Sequence, residues 1–108
     1  MANEYLAVFV TAVDMKEAGK IADAVLKNRL AACANVIEGM KSSYWWKGKI
    51  EKSSEVLIIM KTKLSLMKKL SSVVKKAHSY EVPEITALPI VDGSPEYLKW
   101  IDESVMEQ

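Results

Sequence analysis

Ser43-Tyr44-Trp45-Trp46-Lys47-Gly48-Lys49-Ile50-Glu51 decides how this chain folds. Its first four residues have strong strand propensity. Lys47-Gly48-Lys49 reads as a turn, and Ile50-Glu51 starts the return, so two strands follow one another with no helix between them. Upstream, Leu30–Ile37 alternates small and branched apolar residues and extends the first of these strands, with Gly39 marking a bulge or bend. Downstream, Glu55–Thr62 extends the second.

A helix is expected on either side of this hairpin. Asp14-Met15-Lys16-Glu17 has capping-box spacing, and Ala18, Ile21, Ala22, Val25 and Leu26 recur at helical spacing, predicting a helix over about Met15–Lys27 with Asn28 as a left-handed stop. Leu66, Met67, Leu70, Val73, Val74 and Ala77 form the stripe of a second helix. Outside the helices lie two more strands. Tyr5–Ala12 is apolar on both faces and reads as central; Ile85–Ile90 contains Pro89, which suits an edge. Ser94-Pro95-Glu96 then opens a third helix, with Tyr97, Leu98 and Ile101 as its apolar stripe and Trp100 beside them. The order βαββαβα predicts an α+β fold: a ferredoxin-like βαββαβ sandwich with an extended hairpin and an added C-terminal helix.

At 108 residues and 12.1 kDa the chain suits one domain, residues 1–108. Half of it is hydrophobic and 27% is charged, which excludes a disordered or fibrous chain. No apolar run reaches the ~20 residues needed to span a bilayer, so no membrane partner is expected. Met1-Ala2-Asn3-Glu4 lacks the start of a signal peptide, and the expected compartment is the cytosol. The net charge of +1 gives no footprint for nucleic acid. Six lysines and no acid lie between Val56 and Ser79, but Lys68, Lys69, Lys75 and Lys76 fall opposite the apolar stripe, as on a solvated helix face.

The hairpin is too long for a body of this size. A strand from Leu30 to Trp46 would span roughly 56 Å at about 3.3 Å per residue. The first helix covers only ~20 Å. Yet Tyr44, Trp45 and Trp46 sit at its far end. Large rings on an arm with unpaired edges call for a partner, and a closed homo-oligomer supplies one. The alternative is a strand that breaks at Gly39 and folds back locally.

Arg29-Leu30-Ala31-Ala32-Cys33-Ala34-Asn35-Val36, Tyr44–Ile50, His78-Ser79-Tyr80-Glu81-Val82-Pro83-Glu84-Ile85 and Pro95–Ile101 resemble the CutA family of divalent-cation tolerance proteins, in order and over essentially the whole chain. The resemblance implies a tight homotrimer built through the sheet edges and the hairpin, with Tyr44, Trp45 and Trp46 at the interface. It also implies a link to copper or another divalent cation. Two positions depart from the family pattern: Ser79 stands where proline is usual after the histidine, and Trp45 where arginine is usual.

Cys33 offers a soft ligand and His78 a borderline one, a pairing suited to copper or zinc. Glu81 and Glu84 add oxygen donors. The bland readings are a small buried thiol at Cys33 and a helix-terminal partner at His78. The His78–Glu84 loop is dense in polar groups, and with Lys61 and Trp46 it would line an inter-subunit pocket through Tyr80 and Glu84. No triad, no phosphate-cradling loop and a single histidine argue against an enzyme. Three functions follow: a copper-binding tolerance protein, a trimeric signalling module similar to the PII proteins that takes a small molecule or anion, and a scaffold without ligand.

Overall fold

A computed structural model describes residues 4–106. The start Met1-Ala2-Asn3, read above for its lack of a signal peptide, lies outside them. The order is β1 (Tyr5–Ala12), α1 (Met15–Lys27), β2 (Cys33–Trp46), β3 (Lys49–Lys63), a 3-10 turn (Leu64–Leu66), α2 (Met67–Ala77), β4 (Ile85–Ile90) and α3 (Pro95–Ser104). The four strands form one antiparallel sheet in the order β2-β3-β1-β4. This is the ferredoxin-like arrangement that the order of elements predicts. β1 is central, and β4, with Pro89, is an edge.

The sheet's two faces differ. Leu6, Val8, Val10, Val56, Ile58 and Met60 point to one side, where α1 and α2 bury them with Ile21, Val25, Leu70 and Val74. Tyr5, Ala7 and Phe9 alternate to the other side and are only half-buried. α3 closes one end of that open face. Tyr5 and Lys63, register partners, both reach it: the Tyr5 hydroxyl donates to Asp102 Oδ2 at 2.7 Å, and Lys63 Nζ lies 2.7 Å from Asp102 Oδ1.

Local sequence explains the termini. Asp14 caps α1 by accepting from the Glu17 N–H at 2.8 Å. Glu17 does not complete a capping box on Asp14; it accepts from the Val13 N–H at 3.0 Å, one residue earlier. Asn28 is not the left-handed stop. Its side chain donates to the Ala24 carbonyl, and Arg29 takes the left-handed conformation at φ 55°. Arg29 is held there because its guanidinium donates to the Ser104 carbonyl and its own carbonyl accepts from Met106. That turn also delays the second strand, which begins at Cys33 and not at Leu30.

The hairpin does not break at Gly39. The ladder shifts register between Ile37 and Met40, with Gly39 at φ 91°, and then continues from Met40↔Glu55 to Trp46↔Lys49. β1 ends at Ala12, opposite Val56, so those outer pairs form a two-stranded ribbon beyond the sheet. A two-residue turn closes it, with Lys47 at φ 51° and Gly48 at φ 80°, both positive as a type I′ hairpin demands. The ribbon gives the molecule its long axis of 43 Å against 25 and 22 Å.

Candidate functional site

The residues after α2 cross back over the end of β1, and one histidine fixes their path. His78 closes α2 through its backbone, but its ring turns inward and its side chain is fully buried. Nδ1 accepts the Tyr80 N–H at 3.0 Å, so the neutral ring donates from Nε2 to the Thr11 carbonyl at 2.6 Å. Glu17 supports the same turn: its second oxygen accepts from the Ser79 N–H at 2.8 Å. Burial pushes the Glu17 carboxyl up, but the bonds from Ser79 and Val13 outweigh it and leave it below the ordinary range.

Tyr80, set by this turn, reaches β3. Its hydroxyl donates to Glu55 Oε2 at 2.7 Å. Burial first, and then the bond to Glu55, raise the Tyr80 phenol far above its usual range, so it stays protonated and Glu55 is the acceptor. Glu55 is 7% exposed.

Here the ribbon leaves the sheet, and a cleft of about 810 Å³ opens between its inner side and the loop. Tyr44, Trp45 and Trp46 line it from the ribbon, and Tyr80, Glu81, Val82 and Glu84 from the loop. Glu55 and Thr11 form its floor end, and Lys41 also borders it, with Nζ donating to Ser54 Oγ at 2.8 Å.

The sequence candidates divide accordingly. Trp46, Tyr80, Glu81 and Glu84 meet at the cleft. Lys61 does not line it; it is the register partner of Cys33, and its ammonium is 3.5 Å from Asn35 Oδ1. Six steps of strand lead from Glu55 to Lys61, roughly 20 Å at about 3.3 Å each. Cys33 therefore lies at the opposite end of the sheet from the cleft and from His78. It is half-buried, with Sγ 3.7 Å from the Tyr97 hydroxyl, whose proton is held more firmly by burial and by that thiol.

These positions bear on a divalent cation. His78 as it stands presents no free nitrogen, since both are bonded. Cys33 and Glu81 do not converge. Among the described residues no group of three or more His, Cys, Asp or Glu side chains is arranged to hold a metal ion. Sequence reasoning missed Glu55, Glu17 and Thr11. No local signal marked Glu55: its face of β3 carries Leu57 and Ile59 but also Ser53, Lys61 and Lys63, so an acid there does not stand out in the sequence.

Sheet order, helix placement, ribbon and cleft define a class: a ferredoxin-like domain with an over-long hairpin and a cleft at its root. Residues 6–104 match the model of the CutA1 divalent ion tolerance protein. The chain is similar to Protein CutA 1, chloroplastic, of rice, with 46% identity over 94% of this chain and 58% of that one. It is similar to the divalent-cation tolerance protein CutA of Archaeoglobus fulgidus, with 43% identity over 91% of this chain and 95% of that one. The crystal structure of CutA1 from Oryza sativa superposes with a TM-score of 0.94 at 39% identity, covering 97% and 96% of the two chains. The chain spans little more than half the length of the plant and mammalian relatives it matches. The chain belongs to the CutA1 divalent ion tolerance protein family. Among the described residues no helix is long and apolar enough to cross a membrane.

Proposed function

We propose that this chain acts in the cytosol as a homotrimer that takes up a divalent cation, copper foremost, and contributes to metal tolerance by binding it, without catalysis. The observation that carries the reading is an unfinished apolar surface. Trp45 is 73% exposed, Ile50 59% and Leu88 53%, spread over the ribbon and the sheet edge. Rings and edges of this kind are covered in a closed assembly. Family membership supports the cation. Cys33 is its softest donor, and half-buried it remains within reach. His78 contributes as a ligand only by leaving the Thr11 carbonyl, and Glu81 only from the distant cleft.

Two measurements test this. Light scattering on a sizing column should give a mass near three times 12.1 kDa at micromolar concentration; a monomer there sinks the assembly. Calorimetry with copper should show binding that Cys33→Ser weakens most. Retention of the same stoichiometry and pH profile in the Cys33→Ser/His78→Ala double variant would overturn the ligand assignment. The signalling alternative, with an anion in the cleft, is disfavoured by the cleft's three carboxylates and by the remoteness of Lys61.

A further inference from the structure

We infer that the outer face of α2 binds a flexible chain of phosphates, of the inorganic polyphosphate kind. The stretch that carries this is Lys68-Lys69-Leu70-Ser71-Ser72-Val73-Val74-Lys75-Lys76. Leu70 and Val74 are buried in the core, while all four lysines are exposed. The two lysine pairs stand seven residues apart, roughly 10 Å at about 1.5 Å per residue, with Ser71 and Ser72 in the gap between them. A groove of about 710 Å³ opens on this face, and Lys68, Lys75, Ser65, Ser71 and Ser72 line it.

Charge is the second observation. Among the described residues none of the four lysines forms an ion pair. No acid lies between Val56 and Ser79, and α1, packed beside α2, exposes Lys16, Lys20 and Lys27 against Asp23. The chain carries only +1 in all, so its positive charge is gathered on the helix layer and the remainder is net acidic. A concentrated face of one sign draws a polyanion to it. What the face lacks selects among polyanions. α2 has no aromatic ring and no arginine, so it neither stacks a base nor grips one phosphate with a guanidinium fork. Leu64 is the one large apolar side chain exposed along Leu64–Ala77, too little to enter a bilayer. Ammonium and hydroxyl groups remain, and they donate to phosphate oxygens one at a time. Affinity then comes from several phosphates on one chain.

The face lies apart from the ribbon and sheet edge that an assembly would cover, and the inference rests on neither trimer nor copper. Its test is binding of fluorescently labelled polyphosphate to the full chain, read by anisotropy across a salt series. Saturable binding is expected, with log affinity falling against log salt by about 0.7 for each lysine engaged, as for other flexible polyanions. Orthophosphate at the same total phosphate should not compete. Lys68→Gln/Lys75→Gln alters only exposed side chains; it should weaken binding roughly tenfold and lower the salt slope by about 1.4. Lys52→Gln/Lys99→Gln removes the same charge from exposed positions on the ribbon and α3 and should change neither. Ser72→Glu, also at an exposed position, places an acid in the gap and should weaken binding without lowering the melting temperature. Equal losses in the two double variants would reduce the effect to net charge. Equally tight binding of a single-stranded oligonucleotide or of anionic lipid vesicles would assign the face to another polyanion. Either result, or absence of saturation, overturns the inference. Cys33→Ser should leave polyphosphate binding intact, so a failed copper experiment and a failed polyphosphate experiment remain distinguishable.

Discussion

Along β1 the side chains alternate between two environments. Leu6 is 5% exposed and Val8 and Val10 are at 0%, whereas Tyr5, Ala7 and Phe9 on the opposite face are only half-buried. The first set meets α1 and α2. The second meets α3 at one end and lies open elsewhere. The ribbon continues the open side outward, with Trp45 and Ile50 among its most exposed residues. A strand apolar on both faces signals that both are covered, but one chain covers only one of them completely. Stability of the chain is therefore concentrated under the helices, and the open side leaves apolar surface uncovered.

The contrast can be broken by substitutions on either side. Leu70→Ala removes a fully buried side chain from α2 and should cost about 2–5 kcal/mol in denaturant unfolding, by lost transfer energy and a cavity. Its effect on melting should be the same at every protein concentration. A loss below about 1 kcal/mol would show that the helical face is loosely packed.

Trp45→Ser tests the other side. If the ribbon docks on further copies, it should cost about 2 kcal/mol, as central interface aromatics do. The signature is different in kind. Wild-type melting should rise with protein concentration, because assembly stabilises by mass action, and the variant should lose most of that dependence along with its higher mass. A change within about 0.5 kcal/mol, with mass unaltered, would mean that the ribbon stands free.

Gly39→Ala comes next. A Cβ there would meet nothing within 4 Å, so space is not the issue. The φ of 91° is, and forcing an L-residue into positive φ costs about 1–2 kcal/mol. The variant should shift the ribbon's direction relative to the sheet. The cleft lining on the ribbon should move with that shift more than the helical core does. Equal stability to wild type would show that the bulge relaxes without strain.

Fold and site were not equally legible in the sequence. The helix stripes, the turn at Lys47–Lys49, the bulge at Gly39 and the edge placement of Pro89 are local signals, and each has its counterpart in the structure. α1 ends at Lys27 as its periodicity predicts, but the left-handed residue after it is Arg29 and not Asn28, the better left-handed residue by propensity. Contacts from Arg29 to Ser104 and Met106, residues 75 and more positions away, decided the matter instead. The site was harder still. His78 was conspicuous as a lone histidine, but nothing local showed that Thr11 and Tyr80 would occupy both nitrogens. Lys61 was grouped with the loop because both lie near element ends. Register places it beside Cys33 at the far end. Such pairings are set by which strands become neighbours.

The smallest effect belongs to the place where the open face is closed by the chain itself. Asp102 on α3 is held below the ordinary carboxylate range, first by Lys63 and then by the Tyr5 hydroxyl, with burial opposing. A folded-state carboxyl that is more acidic than in the unfolded chain stabilises above the unfolded value, about 3.9 for Asp, and loses that contribution as pH falls through the folded value. Both partners are part-exposed, with side chains at 22% for Lys63 and 35% for Asp102, so the contribution at neutral pH should stay within about 1 kcal/mol. Asp102→Asn should therefore melt slightly below wild type at pH 7, and the two should converge below about pH 4. Tyr5→Phe removes only the hydroxyl bond and should show a smaller gap of the same sign. If the gap between wild type and Asp102→Asn persists unchanged into acid, the charge is not what seats α3, and the buried side chain of Ile101 does that work.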